Sequence, residues 1–115
     1  MLQVTAAALL NEARVLAHPA SIDNVPTDGG KEDHVSMGMT SAAKLRDIVE
    51  LAEFATAIEL FTAAQALEFR APLTPGRGVK TAYDIVRKLV PPVSTDRAVS
   101  NDIESIVAAI RRDEF

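Results

Sequence analysis

The sequence contains no cysteine and no tryptophan, and Tyr83 is its single tyrosine. Without cysteine there can be neither a disulfide framework nor a thiolate metal site, which fits a cytoplasmic protein. Positive charge is also sparse: the net charge is −4, and the longest basic runs are pairs such as Arg87-Lys88 and Arg111-Arg112. Pairs are too short to follow a phosphate backbone, so we expect no nucleic-acid partner.

Long uncharged apolar runs are missing as well. A membrane-spanning helix needs roughly 20 such residues, and no stretch of the chain provides them. The apolar first segment, residues 1–16, includes Glu12 and Arg14 and has no basic stretch in front of it, unlike a signal peptide. We therefore expect a chain without a membrane partner, whose 115 residues suit a single domain.

Glycine and proline are few, and they separate segments with helical character. A short helix is predicted over residues 3–16, because alanine and leucine favour helices, and Pro19 ends it. One long helix is predicted over about residues 35–70, followed by two shorter helices, at about residues 79–89 and near the C terminus. The predicted fold class is all-α: a short helix, a long loop, one long helix and two shorter helices.

The last helix has a candidate start signal and a candidate buried face. Asn101, with Glu104 three residues later, has the spacing of a capping box. Apolar residues at helical spacing predict the face that this helix buries: Ile103, Ile106, Val107 and Ile110.

The second half of the long helix is unusually apolar. Between Phe54 and Leu67 the only charged residue is Glu59. A helix that is apolar nearly all round has to be buried on every side, and three short helices cannot easily wrap it. We therefore expect residues 54–67 to pack against other copies of the chain or against parts of a larger protein.

Residues 17–34 are predicted to form a long loop. The segment contains two prolines and two adjacent glycines, and neither a helical nor a strand period runs through it. Loops of this length in compact domains are usually functional or disordered. This one ends in Lys31-Glu32-Asp33-His34, directly before the predicted long helix.

The residue types in this acidic cluster leave three interpretations open. Asp33 or Glu32 could cap the long helix or interact favourably with its dipole. Alternatively, the loop presents Glu32 to a cavity as a ligand or a base. A metal site could use His18, Asp23, Asp33 and His34, but these residues have no recurrent ligand spacing, so we expect no metal.

The loop also resembles a known family. Two runs, residues 18–27 (HPASIDNVPT) and residues 32–38 (EDHVSMG), closely resemble a signature of histidine ammonia-lyases. The similarity extends backwards through residues 5–9 and forwards to residues 102–104, so it covers essentially the whole chain. Residues 1–115 together resemble the C-terminal helical segment of such a lyase, one part of a larger helical bundle.

The resemblance implies a lyase that converts L-histidine to trans-urocanate and ammonia. Family members use an electrophilic methylidene-imidazolone group made from an internal Ala-Ser-Gly, and they form homotetramers whose active sites combine several subunits. In that setting the loop of residues 17–34 runs to the active site. This chain contains no Ala-Ser-Gly, so we expect no cofactor to form within it. We therefore expect a fragment that is inactive alone and that self-associates as a homo-oligomer.

By the resemblance, Glu32 contacts the substrate, either as its binder or as a catalytic base. Related phenylalanine and tyrosine lyases tend to have glutamine at the matching place. A carboxylate can accept a charge-assisted hydrogen bond from an imidazole N–H, whereas a phenyl ring would leave it unpaired. Glu32 therefore favours histidine as the substrate. Lys31, where the family usually has glutamine, could pair with Glu32 or point to solvent, and His34 is expected to position the loop. Glu32, Lys31 and His34 are the substrate-binding residues that the resemblance predicts.

Two other interpretations remain open. The chain could be a stand-alone helical module that binds a lyase subunit. It could also be a fragment of a phenylalanine or tyrosine ammonia-lyase rather than of a histidine ammonia-lyase.

Overall fold

The computed structural model describes residues 1–22 and 24–115, and in them it contains four α-helices and no β-sheet. One short 3-10 turn, Asp28–Gly30, lies in the connection between the first two helices. The α-helices are α1 (Leu2–Leu16), α2 (Gly38–Glu68), α3 (Arg77–Leu89) and α4 (Ser100–Arg111). The all-α prediction is confirmed, including the order of one short, one long and two shorter helices.

Helix α2 begins later than the predicted residue 35. Met37, which directly precedes it, has a positive φ of 52° and lies in the left-handed region. A residue in that conformation cannot continue a right-handed helix, so the helix starts at Gly38. The irregular connection therefore extends through residue 37.

The predicted capping box of α4 is wrong. The N-cap residue is Val99, no side chain caps the helix, and Asn101 lies within the first turn. Arg97 Nη1 lies 2.5 Å from Asp102 Oδ2, which fixes the chain as it enters the helix. The acidic side chain in the first turn also suits the positive end of the helix dipole.

The hydrophobic core lies at the C-terminal half of α2. There α2 packs against α3, α4 and the apolar face of α1. The predicted buried face of α4 is confirmed for Ile103, Ile106 and Val107, whereas Ile110 is only partly buried. The buried residues of the core cluster come from α2, from α3 and the residue after it, and from α4: Ala57, Ile58, Phe61, Ala64, Val86, Val90, Ile103, Ile106 and Val107.

The chain is strongly elongated. Its radius of gyration is 19.9 Å, against about 13 Å for a compact domain of this length. The 31 residues of α2 correspond to a rod of about 46 Å. No helix in the described part of the chain is both long and apolar enough to cross a membrane.

Much of the apolar surface of α2 is left open by this shape. Within the segment of residues 54–67, one face is covered by the chain itself, while Ala63 and Ala66 on the other face are exposed. Nearer the N terminus of the helix, Leu45 and Val49 are 59% and 49% exposed. The chain thus covers one side of the apolar helix that the sequence predicts to be buried all round.

A charged cluster joins the end of α2 to α3. Tyr83 Oη donates a 2.7 Å hydrogen bond to Glu68 Oε1, and Arg87 Nε donates a 2.8 Å hydrogen bond to the same oxygen. The hydrogen bond from Tyr83, followed by that from Arg87, lowers the pKa of Glu68 below its ordinary value. The same bond to Glu68 raises the pKa of Tyr83. The ionised Glu68 is therefore the form that ties the two helices together.

Acidification is expected to weaken the contact that Glu68 makes between α2 and α3. The folded-state pKa of Glu68 lies below the ordinary value of 4.5, so its stabilisation is complete above that value and is lost as the pH falls through the folded-state pKa. Glu68→Gln keeps an acceptor for Tyr83 but cannot ionise. At neutral pH the wild-type chain should therefore have the larger unfolding free energy, and its difference from this variant should shrink as the pH is lowered. Urea denaturation at several pH values measures this difference. An advantage of equal size at neutral and acidic pH would contradict the assignment.

Candidate functional site

Within the connection between α1 and α2, two hydrogen bonds join Asn24 to Val35, and this pair is called the stem. The backbone N–H of Val35 donates a 2.8 Å hydrogen bond to Asn24 Oδ1, and Asn24 Nδ2 donates to the carbonyl oxygen of Val35. The side-chain amide thus pairs with the backbone of a residue eleven positions away in the way that a neighbouring strand would. Both residues are half-buried, and together they hold the two ends of the segment 24–35 side by side.

Inside this closed segment lies a short hairpin. Thr27 and Glu32 form an antiparallel bridge in which Thr27 N donates to Glu32 O at 2.9 Å and Glu32 N donates to Thr27 O at 3.3 Å. The hydroxyl Oγ1 of Thr27 also donates a 3.1 Å hydrogen bond to Glu32 Oε2. Both the backbone and the carboxylate of Glu32 are therefore held by one residue across the hairpin.

The turn of the hairpin consists of three successive residues with positive φ. Asp28, Gly29 and Gly30 have φ values of 50°, 66° and 83°. Glycine adopts this region without a Cβ clash, and aspartate is among the few other residues that tolerate it. The Asp-Gly-Gly sequence therefore allows the chain to reverse direction between Thr27 and Glu32.

All three predicted site residues lie on this hairpin or directly after it. Glu32, Lys31 and His34 are exposed to solvent in this chain. Lys31 Nζ lies 4.0 Å from Asp28 Oδ2, and its side chain is 80% exposed. Lys31 therefore makes its ion pair across the turn with Asp28 and points to solvent. His34 is adjacent to Val35, the residue that Asn24 binds.

The interpretation of Glu32 or Asp33 as a helix cap is wrong. Helix α2 begins at Gly38, and its first turn contains no acidic residue. Both Glu32 and Asp33 precede Met37, the N-cap residue, by at least four positions. Among the described residues, no group of three or more His, Asp or Glu side chains is placed to hold a metal ion. Asp23, which the metal hypothesis also used, lies outside the described residues.

The end of α1 is tied to α2 by a hydrogen bond from Lys44. Lys44 Nζ donates a hydrogen bond to the carbonyl oxygen of His18, the residue that follows α1 by two positions. A small cavity of about 140 Å³ lies at this contact, lined by Leu16, His18, Lys44 and other residues of the two helix ends. This bond and the stem at Asn24 fix the connection at both of its ends.

Sequence reasoning missed Asn24 and Thr27. The signal that could have found them is the Asp28-Gly29 pair, since Asp-Gly is a strong indicator of a tight hairpin turn. The alternating apolar residues that normally accompany such a turn are absent from the flanking segments. The sequence pattern therefore predicts a loop without internal pairing.

Removing the stem is expected to open the segment while the helices stay folded. In Asn24→Ala the backbone N–H of Val35 loses its acceptor, and a hydrogen bond of this kind contributes about 0.5–1.5 kcal/mol. Amide hydrogen exchange at Val35, followed by NMR, should therefore accelerate several-fold. The control is Asn101→Ala, in the exposed first turn of α4. Unchanged exchange at Val35 in Asn24→Ala would contradict the role of the stem.

The chain is similar to the proteins of one known family. Residues 1–88 match the family model of the aromatic amino acid lyases. The histidine ammonia-lyase of Myxococcus xanthus is 54% identical over 104 residues, which are 90% of this chain and 20% of that protein. The chain thus spans about a fifth of the length of the curated relatives that it matches.

Solved structures agree with this similarity. Histidine ammonia-lyase from Trypanosoma cruzi superposes with a TM-score of 0.89 at 39% identity, covering 96% of this chain and 22% of that one. Tyrosine aminomutase from Streptomyces globisporus superposes with a TM-score of 0.86 at 37% identity, covering 97% of this chain and 21% of that one. From its sequence and its fold, the chain belongs to the aromatic amino acid lyase family.

Proposed function

We propose that this chain is the part of a histidine ammonia-lyase that presents a substrate-binding hairpin to the active site. The complete enzyme would eliminate ammonia from L-histidine to give trans-urocanate. The observation that carries the proposal is the Glu32 carboxylate, held at the end of a closed hairpin and open to solvent. The high identity to histidine ammonia-lyases supports the same substrate.

The chemistry of Glu32 supports histidine over an uncharged aromatic substrate. Thr27 engages Oε2, and a carboxylate has a second oxygen that can accept an N–H hydrogen bond from the imidazole ring. Such a bond is charge-assisted and stronger than a neutral one. A phenyl ring in the same place would leave the desolvated carboxylate without a donor, which is unfavourable. Glu32 would thus bind the ring, act as a base, or do both, with Lys31 and His34 beside it.

The electrophilic group of the family cannot come from this chain. The methylidene-imidazolone group is made from Ala-Ser-Gly, and the sequence contains no such tripeptide. The residues of this chain therefore cannot form the methylidene-imidazolone group, which other parts of the lyase would supply. On this ground we propose that the chain alone is inactive.

The test is a hybrid lyase. The matching segment of the Myxococcus xanthus histidine ammonia-lyase is replaced by this chain, which is 54% identical to it over 104 residues. We expect the hybrid to form urocanate from L-histidine and the 115-residue chain alone to form none. A folded hybrid that forms no urocanate would overturn the proposal.

The substrate has to be tested separately, because one structural neighbour is a tyrosine aminomutase. The hybrid is therefore also supplied with L-phenylalanine and L-tyrosine. Preference for L-histidine supports the proposed role of Glu32 as the partner of the imidazole ring. Preference for either of the other two amino acids would make the chain part of a phenylalanine or tyrosine lyase.

We also propose that a second copy of the chain covers the exposed face of α2. The radius of gyration exceeds that expected for a compact domain of this length by about half. Small and apolar residues such as Ala63, Ala66 and Val49 are left open on that helix. Covering them by an identical face would bury apolar surface that one chain cannot bury alone. An independent helical module would instead bind a lyase subunit and would not self-associate. We also propose a cytoplasmic location.

A further inference from the structure

We propose that Thr27 is a positioning residue, which acts by fixing the carboxylate of Glu32. The inference rests on the proposed function of Glu32 and adds a second residue to the site. It is carried by the 3.1 Å hydrogen bond that Thr27 Oγ1 donates to Glu32 Oε2. The two residues are five positions apart and are brought together by the hairpin.

The bond is one of three between the same two residues. Two backbone hydrogen bonds, of 2.9 and 3.3 Å, place the main chains of Thr27 and Glu32 side by side. These bonds fix the Cα of Glu32, but they leave its side-chain torsions free. The hydroxyl of Thr27 is the group that acts on the carboxylate itself. Backbone pairing and carboxylate orientation are therefore separable, since only the second requires the hydroxyl.

The physical benefit is a carboxylate that is ordered before the substrate arrives. Glutamate loses more side-chain freedom on being fixed than most residues do. When a neighbouring donor already restrains the carboxylate, less of that freedom has to be lost as the substrate binds or reacts. A hydroxyl also donates to an ionised carboxylate without neutralising it. Thr27 would thus hold Glu32 in place and leave its charge available to the imidazole.

The competing explanation is that Thr27 serves only the backbone of the hairpin. β-Branched residues favour extended conformations, and Thr27 has φ −118° and ψ 177°. Valine has nearly the same shape and the same preference, but no hydroxyl. Thr27→Val therefore keeps whatever the β-branched shape contributes and removes the donor alone. Thr27→Ser does the reverse, because serine keeps the hydroxyl.

The experiment measures kcat and KM for L-histidine in the hybrid lyase. We expect Thr27→Val to lower kcat/KM roughly tenfold, as expected for loss of a hydrogen bond to a charged group. Thr27→Ser should recover most of that activity. The loss should appear in the same parameter, kcat or KM, that Glu32→Gln changes. The matched control is Thr81→Val on the exposed side of α3, where the hydroxyl bonds only to a backbone carbonyl of its own helix.

A double substitution separates positioning from structure. If Thr27 acts through Glu32, Thr27→Val has no further effect once Glu32 is alanine, because the acceptor is gone. If the role of Thr27 is purely structural, Thr27→Val lowers the activity by the same factor with and without Glu32→Ala. That additive result, or full activity of Thr27→Val, overturns the inference and leaves the proposed function intact. An inactive unsubstituted hybrid overturns the proposed function and this inference with it.

Discussion

Glu32→Ala in the hybrid lyase is expected to lower kcat/KM for L-histidine by roughly a hundredfold or more. Loss of a positioned acid–base group alone reduces rates by about 10²–10⁴, and loss of a charge-assisted hydrogen bond to the substrate adds to this. The stability of the fold should hardly change, because Glu32 is exposed and lies outside the core cluster. Substitutions at such surface positions usually change the unfolding free energy by less than about 0.5 kcal/mol.

A second variant decides between the two roles of Glu32. Glu32→Gln keeps the size and one acceptor oxygen of the side chain, but it cannot take up a proton at neutral pH. A variant with lowered kcat and an unchanged KM indicates a base, whereas a raised KM with nearly normal kcat indicates a binder. Glu12→Ala, an exposed carboxylate of α1, is the control. Near-normal turnover of Glu32→Ala would remove Glu32 from the site.

The isolated chain is expected to sediment as an oligomer at micromolar concentrations. Its mass is 12.3 kDa, so sedimentation equilibrium separates a monomer from a dimer or a tetramer without ambiguity. Glutamate at both Ala63 and Ala66 would put two charges on the exposed apolar face, one helical turn apart. Burying an unpaired charge costs several kcal/mol, so association should weaken by about two orders of magnitude or more.

The control for this experiment adds the same charge elsewhere. Ala98→Glu lies in the exposed connection before α4 and should leave the mass in solution unchanged. Circular dichroism of each variant verifies that the helices remain. If the unsubstituted chain is a monomer at high concentration, or if Ala98→Glu dissociates it equally, the exposed face of α2 is not the interface.

The helices can be predicted because local signals decide them. The alanine- and leucine-rich segment of α1 and the long uninterrupted run of α2 favour helix by composition and spacing. The start of α2 cannot be predicted in the same way, since it depends on the left-handed conformation of Met37 and on the pairing of Asn24 with Val35. The start of α4 likewise depends on an ion pair, between Arg97 and Asp102, that only the folded chain brings together.

The residues of the candidate site are proposed from the sequence, whereas the hydrogen bonds around them could not be predicted from it. Glu32 is identified through the family resemblance, which concerns residue types in order along the chain. The bonds that hold Glu32 come from Thr27, and a bond between two side chains five residues apart requires a turn whose geometry the sequence only suggests. Lys31 illustrates the same limit: its partner, Asp28, lies across that turn.

The position of the core along α2 has a consequence for how this protein can change. The buried residues of the helix begin at Ala57, about 29 Å along the rod from Gly38, the first residue of the helix. Substitutions so far apart, without shared partners, combine additively in free energy. Sequence changes in the hairpin can therefore accumulate without lowering the stability of the core. The hairpin in such a molecule can diverge over evolutionary time while the helical scaffold stays the same.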